Sequence, residues 1–338
     1  MLLVGALKGC AVTFLLNKFL PNGFRGAWNS AFGGFFVCRG VPNNLIDLIL
    51  SPSSVINHGA ETLICNKSER LSGNNKMNKN SISVVIPCFN ESLTIYKNIE
   101  KIKDYLETRF SRYEIIAVND GSVDDTREEL ERLRNDFGIF IINKKKNEGK
   151  GRSVRDGVAA SQFDFVLFLD ADLAIPIEEL AKFMDEAESG MDMVIASRFV
   201  PGLKIIKPVL WYRKIMERTF RLIRMVIINN YQVKDTQCGF KLFQGKCARK
   251  VFPLLSIKRF AFDAEIVFIA RKLNFKIKEL PISLQNPERT SVRIVSDSLN
   301  MLLDLIKIRW NDLNNVYAGE PAKKMMVQTE QVIEEDLN

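Results

Sequence analysis

Phe165-Val-Leu-Phe-Leu-Asp-Ala-Asp172 is the most informative stretch of this 338-residue chain. Its five apolar residues in a row are typical of a short strand that is buried on both faces of a sheet. Two acidic residues, Asp170 and Asp172, follow that strand directly. Open α/β sheets bind ligands beyond the carboxyl ends of their strands, so this acidic pair is a candidate site.

Apolar strands and amphipathic helices alternate on both sides of this stretch, with short connections. The pattern predicts strands at 83–87, 113–118, 139–143, 165–169 and 193–196, and helices at 92–109, 124–134, 152–160 and 177–188. This alternation indicates βαβ units and a doubly wound, mostly parallel sheet. After Ser197 the pattern loosens. It predicts helices at 210–228, 262–272 and 295–310, a strand at 276–280 and a glycine-containing segment at 238–244.

Composition narrows the class of protein. The chain is 46% hydrophobic and 26% charged, which excludes a multi-span transporter and a mainly disordered chain. Its only histidine is His58, so His-rich zinc sites are excluded and a catalytic triad would depend on that residue. The six cysteines include no C-x-x-C pair and are typical of free thiols in a reducing compartment. The net charge of +8 predicts an anionic partner.

The sequence predicts four regions along the chain. Residues 1–65 form a basic, apolar N-terminal extension, residues 66–80 a polar linker, residues 81–317 the catalytic domain, and residues 318–338 a disordered tail. The apolar start of the extension is broken by Lys8, which leaves a membrane anchor and a poorly ordered extension as alternatives.

The predicted helix at 295–310 is amphipathic. Apolar residues recur along it at helical spacing, and this face packs on the domain or lies on a membrane. The recurring residues are Val295, Leu299, Leu302, Leu303, Ile306 and Trp310.

Asp170 and Asp172 are candidate ligands of a hard cation such as Mg²⁺ or Mn²⁺. In an extended segment, residues i and i+2 point the same way, and such a cation takes one or two carboxylates together with diphosphate oxygens. The alternative is a solvated turn that caps the next helix. Gly149-Lys150-Gly151 opens a predicted helix and is a candidate anion site, although it lacks the Ser or Thr of a P-loop. No G-x-G-x-x-G follows the first strand, which disfavours a dinucleotide oxidoreductase.

Seven motifs in order resemble those of the inverting family 2 glycosyltransferases, whose fold is GT-A. Within that family they are most similar to the polyprenyl-phosphate glycosyltransferases, including those that use dolichyl phosphate, and the resemblance covers residues 82–312. The motifs are Val84-Val-Ile-Pro-Cys-Phe-Asn-Glu91, Val118-Asn-Asp-Gly-Ser122, Asn147-Glu-Gly-Lys-Gly151, Leu169-Asp-Ala-Asp-Leu173, Ala196-Ser-Arg-Phe199, Asp235-Thr-Gln-Cys-Gly-Phe-Lys-Leu-Phe243 and Phe262-Asp-Ala-Glu265.

The resemblance implies a role for individual residues. Asp170 and Asp172 would hold the metal and the diphosphate, as catalytic residues together with Arg213. Many relatives have Asp where this chain has Asn119. A structural turn explains Gly239 as well as a role in the pocket does, and Asp263 and Glu265 are either site carboxylates or part of a helix N-terminal turn. The implied substrate-binding residues are Pro87, Asn90, Glu91, Asn119 and Asp120 for the nucleotide, Lys150 and Arg198 for phosphates, and Gln237 and Lys241 for the sugar or acceptor.

The resemblance implies that the chain transfers a hexose, glucose from UDP-glucose, to a polyprenyl or dolichyl phosphate at the cytoplasmic face of a membrane. A phosphate monoester is already anionic, so it needs cations to position it and no general base. The alternatives are GDP-mannose or another donor, a saccharide hydroxyl as acceptor, a nucleotidyltransferase, and an inactive nucleotide-sugar-binding subunit. No nucleic-acid partner is expected.

Overall fold

The computed structural model describes residues 78–202, 204–205, 221–228, 232–284 and 294–318. The predicted extension over 1–65, Arg213 and the tail after Ala318 lie outside these residues, as does the predicted linker up to residue 77. No helix among the described residues is long and apolar enough to cross a membrane.

Nine strands form two sheets in the described part of the chain. The strands are β1 (Asn78–Cys88), β2 (Phe110–Asn119), β3 (Phe140–Asn143), β4 (Phe165–Leu169), β5 (Met193–Ser197), β6 (Lys204–Ile205), β7 (Phe240–Gln244), β8 (Ile277–Pro281) and β9 (Ser283–Leu284). Seven of them form the main sheet in the order β3-β2-β1-β4-β7-β5-β8, and β6 pairs with β9. Every pairing is parallel except those of β7, which is antiparallel to β4 and β5.

Helices cover both faces of the main sheet. The helices are α1 (Ile95–Arg109), α2 (Thr126–Phe137), α3 (Lys150–Ala160), α4 (Leu180–Glu188), α5 (Gly245–Val251), α6 (Phe262–Lys272) and α7 (Ile294–Leu313). Ile82, Val84 and Ile86 of β1 pack with buried residues of α1, α2 and α4, whereas Val85 packs with residues of α3, α5, α6 and α7. This side-chain alternation along β1 is what two covered faces require. The predicted doubly wound α/β fold is confirmed.

β1 and β7 are two of the strands that differ from the sequence-based expectation. β1 begins at Asn78, inside the last residues of the predicted linker. Its polar residues are buried because they have partners: Ser81 Oγ donates to Asp164 Oδ2 at 2.7 Å, and Ser83 Oγ donates to Glu114 Oε1 at 2.5 Å. β7 replaces the predicted glycine-containing segment.

Candidate active site

The candidate site lies at the edge of the main sheet where the parallel strands end. Cys88 of β1 is paired with Asn119 of β2, and Asn119 with Asn143 of β3, so their following loops meet at this edge. β7 runs in the opposite direction, and its first residue, Phe240, is paired with the last residue of β4, Leu169. The loop before β7 therefore meets the acidic pair that follows β4.

Asp170 and Asp172 lie in a turn and not in an extended segment. β4 ends at Leu169, and Leu173 N donates to Asp170 O at 3.3 Å. Asp172 Oδ1 accepts from Ala174 N at 3.0 Å. Desolvation and the nearby charge of Asp170 raise the pKa of Asp172, although that side chain keeps an exposed surface. The charge of Asp170 thus acts on Asp172, in a turn and not in the extended segment expected from the sequence, and their sharing of one cation stays a prediction.

Lys150 places its ammonium group at the acidic pair. Its Nζ lies 2.6 Å from Asp170 Oδ1. Desolvation lowers the pKa of Lys150, but the charges of Asp170, Asp263 and Asp172 outweigh it, so the pKa is raised overall. The cation predicted for the phosphates is therefore present at the site, paired with Asp170.

The glycines on either side of Lys150 allow a close approach to the loop before α6. A Cβ on Gly149 would lie 2.5 Å from Lys258 O, and a Cβ on Gly151 would lie 2.7 Å from Phe262 Cβ. Gly149 also has a φ of 101°, which favours glycine. Tight packing therefore explains both glycines, in addition to any part that the α3 amino terminus plays in binding an anion.

Arg198 follows β5 and forms a two-pronged ion pair with buried Asp235. Arg198 Nε lies 2.8 Å from Asp235 Oδ2, and the second guanidinium contact, to Oδ1, is 3.1 Å. Burial would raise the pKa of Asp235, but Arg198 outweighs burial and the pKa is lowered. Glu279 accepts from the backbone N–H groups of Lys234 and Asp235, both at 2.8 Å. Arg198 thus anchors the loop before β7 and keeps about a third of its side chain exposed.

Lys241 and Asp263 form a buried ion pair behind the site. Lys241 Nζ contacts Asp263 Oδ1 and donates to Cys238 O at 2.6 Å, and the side chain of Lys241 has no exposed surface. The Lys241 side chain is therefore not exposed at the site, and its predicted part in binding the sugar or acceptor stays a prediction. Burial raises the pKa of Asp263, although Lys241 and Lys150 oppose this. Lys241 instead fixes the turn that precedes β7.

Glu265 is a structural carboxylate of α6. It accepts from Ser256 N and Ile257 N, from Ser256 Oγ at 2.6 Å, and from Tyr317 Oη at 2.7 Å. Burial raises the pKa of Glu265, and these hydrogen bonds oppose the rise. Glu265 therefore joins α6 to the turn after α7. Of the two sequence-based alternatives, a site carboxylate and a structural residue, these contacts support the structural one.

The residues predicted to hold the nucleotide lie in the loops after β1 and β2. Asn119 Oδ1 accepts from Ser122 N at 3.0 Å, and buried Asp120 accepts from Glu148 N at 3.0 Å and Gly149 N at 2.8 Å. These side chains order the loops around the site. Their direct contact with a base or ribose stays a prediction.

The loop after β1 joins the loop after β2 through Asn90 and Glu91. Asn90 Oδ1 accepts from Val123 N at 3.0 Å, and Glu91 N donates to Thr126 Oγ1 at 2.8 Å. Pro87 is half-buried in β1, paired with Val118. These three residues line the same edge as Asp170, and their contact with the nucleotide also stays a prediction.

Sequence reasoning missed Asp235 as a partner of Arg198 and gave no decisive role to Gly239. A Cβ on Gly239 would overlap the carboxylate of Asp170. Nearby, Thr236 Oγ1 and Gln237 Nε2 are buried without a hydrogen-bond partner. Unpaired buried polar atoms are uncommon, so the predicted pocket residue Gln237 fits a ligand-contacting role. The motif Asp235–Phe243 was the available signal, but it did not show which contacts its residues make.

Comparison with known families identifies the chain. The model of glycosyl transferase family 2 matches residues 83–251, half of the chain. The chain belongs to this family. It is accordingly a glycosyltransferase, and the match spans the loops after β1, β2, β4 and β5 that form the candidate site.

Several curated relatives are named dolichyl-phosphate beta-glucosyltransferases. The protein from Saccharomyces cerevisiae is 32% identical, over 70% of this chain and 76% of its own length. The protein from Homo sapiens is 30% identical, over 72% of this chain and 79% of its own length. A Trichomonas vaginalis enzyme is 32% identical, over 67% of this chain and 72% of its own length.

Solved structures confirm the GT-A-like fold of this family 2 member. Glucosyl-3-phosphoglycerate synthase from Mycobacterium tuberculosis in complex with UDP matches with a TM-score of 0.51 and 16% identity, over 68% of this chain and 80% of that chain. Its complex with Mn²⁺, UDP and phosphoglyceric acid also has a TM-score of 0.51, with 17% identity, over 68% of this chain and 78% of that chain. At this identity the likeness concerns the fold alone.

Asp170 and Asp172 fit a divalent cation that shares its coordination shell with a substrate. Mg²⁺ is usually held by one or two carboxylates, with water and substrate phosphates at its remaining positions. No group of three or more His, Cys, Asp or Glu side chains within the described ranges is placed to hold a metal ion. Burial and the charge of Asp170 raise the pKa of Asp172, and Lys150 is already paired with Asp170, so this position suits a positive charge.

Proposed function

We propose that this glycosyltransferase moves glucose from UDP-glucose to a polyprenyl phosphate of the dolichyl type, with inversion at the anomeric carbon. The observation that carries the proposal is the agreement of the curated relatives, which are dolichyl-phosphate beta-glucosyltransferases matched over about two thirds of this chain or more. The sugar nucleotide is supported by a fold neighbour solved with Mn²⁺ and UDP-glucose, at a TM-score of 0.50.

The arrangement of charges suits a displacement between two anions. An oxygen of the acceptor phosphate forms the new bond to the anomeric carbon while the bond from that carbon to the diphosphate breaks, and UDP leaves with the electron pair. Lys150 is placed to meet the negative charge of the diphosphate, beside Asp170 and Asp172. A Mg²⁺ or Mn²⁺ ion held by those two aspartates would supply Lewis-acid stabilisation of the leaving group.

A phosphate acceptor explains why the described part of the site needs no general base. The monoester is already ionised at neutral pH, so its attack requires orientation and charge neutralisation. Arg198 keeps part of its side chain exposed at the same edge and is a further cation for the phosphates.

The acceptor phosphate is assigned to Arg213, which lies outside the described residues. Lys214 and Arg218 are alternatives on the same stretch, and a basic surface that faces solvent or lipid is another. A guanidinium would hold the monoester in a bidentate way and aim one oxygen at the anomeric carbon. Arg213→Ala should then abolish lipid-dependent transfer while the affinity for the sugar nucleotide changes by only a few-fold.

We infer that the catalytic domain works at the cytoplasmic face of a membrane, where the lipid acceptor would be available. Leu303, Trp310 and Leu313 of α7 are more than half exposed, while Leu305 and Ile308 on the same helix are fully buried. Lys307 is exposed between them. A helix with one face in the core and an exposed apolar face next to a cation suits an interfacial position.

A release assay tests the proposal. The purified chain is given UDP-glucose, GDP-mannose and other sugar nucleotides, each with and without polyprenyl phosphate, and Asp172→Asn serves as the control for the site. The proposal expects UDP release and a glucosylated lipid only when UDP-glucose and the lipid are both present. Preference for GDP-mannose, transfer to a saccharide hydroxyl, release of pyrophosphate, or binding without turnover would each contradict it.

A further inference from the structure

Gly239 lies against the metal-binding carboxylate predicted for this chain. It is the residue before β7, and its carbonyl oxygen accepts from Asp170 N at 3.1 Å. A Cβ built on Gly239 would overlap Cγ and both carboxylate oxygens of Asp170. No other atom is nearer to that position, so the Asp170 carboxylate itself fills the space that a side chain at residue 239 would need.

Backbone conformation does not explain this glycine. The glycines with positive φ in the described part of the chain are Gly121, Gly138, Gly149, Gly190 and Gly202, and Gly239 is not one of them. The left-handed backbone conformation that favours glycine is therefore not the reason for a glycine at this position. What excludes a side chain at residue 239 is therefore the neighbouring carboxylate.

The backbone around Gly239 is held on both sides. Phe240 is paired with Leu169 in the sheet, and the carbonyl of Cys238 accepts from the buried ammonium of Lys241. That ammonium is in turn paired with buried Asp263. Because the sheet and a buried ion pair fix the turn, the Asp170 side chain moves more easily than the main chain of residue 239.

We infer that Gly239 is a positioning residue: the absence of its side chain holds open the volume in which the Asp170 carboxylate meets Lys150 and the cation. The inference rests on the proposed role of Asp170 in holding the metal and the diphosphate. Gly239 belongs to the motif Asp235–Phe243, so this motif helps to position the Asp170 carboxylate, which follows a different strand, β4. An alanine at residue 239 would turn the Asp170 carboxylate away from Lys150 Nζ, which lies 2.6 Å from it.

Gly239→Ala tests the inference, with Gly245→Ala as the matched control at the other end of β7. The three atoms nearest to a Cβ on Gly245 all belong to the flexible guanidinium of Arg249, the nearest at 2.7 Å, so this control should be tolerated. Binding of Mn²⁺ in the presence of UDP is measured by calorimetry and electron paramagnetic resonance, alongside thermal unfolding. Gly239→Ala should weaken Mn²⁺ binding by about 10- to 100-fold, as loss of the residues that orient metal ligands does, while Gly245→Ala binds like the wild type.

A crystal structure of Gly239→Ala separates this inference from the proposed function. If wild type binds no Mn²⁺ but the variant shows a displaced Asp170 carboxylate, the proposed metal role fails and the positioning role stands. Unchanged Mn²⁺ affinity, or a carboxylate that stays in place, would overturn the inference.

A double variant covers the case in which Gly239→Ala does not fold. Asp170→Ala removes the group that the added methyl would meet, so Asp170→Ala with Gly239→Ala should unfold at the temperature of Asp170→Ala alone. If the double variant is as unstable as Gly239→Ala, residue 239 clashes with something other than Asp170, and the inference is wrong.

Discussion

At the scale of single residues, two carboxylates and one ammonium group share a small volume after β4. Desolvation and the charge of Asp170 raise the pKa of Asp172, and the pKa of Lys150 is raised because the charges of Asp170, Asp263 and Asp172 outweigh its desolvation. A divalent cation brought to this place would relieve the repulsion between Asp170 and Asp172, because opposite charge favours both ionised forms.

Asp172→Asn should therefore reduce turnover by at least about 10²-fold, the scale of losing one electrostatic stabiliser of the transition state. The amide keeps the size of the side chain and removes its charge. The measurement is the rate of UDP release with saturating lipid acceptor, and EDTA should abolish the wild-type rate. Full activity of the wild type in EDTA would refute a metal requirement.

Arg198→Met should destabilise the protein in a pH-dependent way. Breaking the pair leaves Asp235 charged and buried, at a loss on the order of 2 kcal/mol at pH 7, below the roughly 3–5 kcal/mol of a fully buried pair because 32% of the Arg198 side chain is exposed. The pKa of Asp235 is lowered below 3.8 in the folded state, so its stabilising contribution is present above that pH and is lost as pH falls through the folded value.

Urea unfolding of the wild type and the variant at several pH values checks this expectation. The difference in the free energy of unfolding should be largest near neutral pH. It should shrink as pH falls from about 4, the ordinary pKa of an Asp, through the lowered pKa of folded Asp235. Arg132→Met is the control, because its pair with Glu129 is exposed and should contribute less than about 1 kcal/mol at any pH. A difference that does not vary with pH would show that Arg198 does not act through Asp235.

At the scale of elements, the strands made of uninterrupted apolar residues could be predicted from the sequence, and β7 could not. β4 occupies the predicted residues 165–169, and α6 the predicted residues 262–272. β7 is interrupted by Lys241, a residue that single-sequence patterns place on the surface. It is buried only because Asp263 meets it from 22 residues away, and no local pattern contains that contact.

Tyr317→Phe should loosen the attachment of the turn after α7 to α6. The change removes the hydroxyl that donates to buried Glu265 and should cost about 1–3 kcal/mol, because a buried carboxylate loses a hydrogen bond. Tyr96→Phe is the control: its hydroxyl donates at the same distance, 2.7 Å, to exposed Asp136. Urea unfolding compares the two variants, and equal losses would show that Tyr317 does not tie α7 to the domain through Glu265.

Trp310→Ser on α7 should weaken association with anionic vesicles by about tenfold or more, since burying a large apolar side chain contributes roughly 1.5–3 kcal/mol. Trp310 is 64% exposed and therefore contributes little to the core. Phe140→Ser serves as the control, because Phe140 is also exposed but lies on β3. Co-sedimentation is the measurement, and equal pelleting of both variants would argue against an interfacial α7.

At the scale of the whole molecule, the motifs predicted which edge of the sheet holds the candidate site. The contacts between the side chains of different motifs could not be predicted. Asp170, Lys150 and Arg198 each follow a strand, and a parallel sheet brings such positions to one edge. Their partners come from distant parts of the chain: Asp235 is 37 residues from Arg198. Which carboxylate faces which cation depends on packing that the spacing of residues does not encode.

The charge distribution of the chain leads to a prediction about its N-terminal part. Residues 1–80 carry eight basic and three acidic side chains, a net charge of 8 − 3 = +5 out of +8 for the chain. The full chain should bind anionic vesicles more tightly than a chain that begins at Asn80, and salt should weaken the difference, because each basic residue near the surface contributes about 1 kcal/mol. Co-sedimentation at two salt concentrations measures this, and equal absence of both chains from the pellet would contradict it.

The reversed direction of β7 has a consequence for how such an enzyme diversifies. The connection from β5 to β7 leaves and re-enters the sheet at the same edge, beside the candidate site. Insertions or replacements in it therefore leave the pairings of the main seven-stranded sheet in register, and only the pairing of β6 with β9 depends on the segment itself. We expect that a chimaera that carries the segment between Ser197 and Phe240 from a related enzyme keeps the main sheet of this chain and has the acceptor preference of that related enzyme.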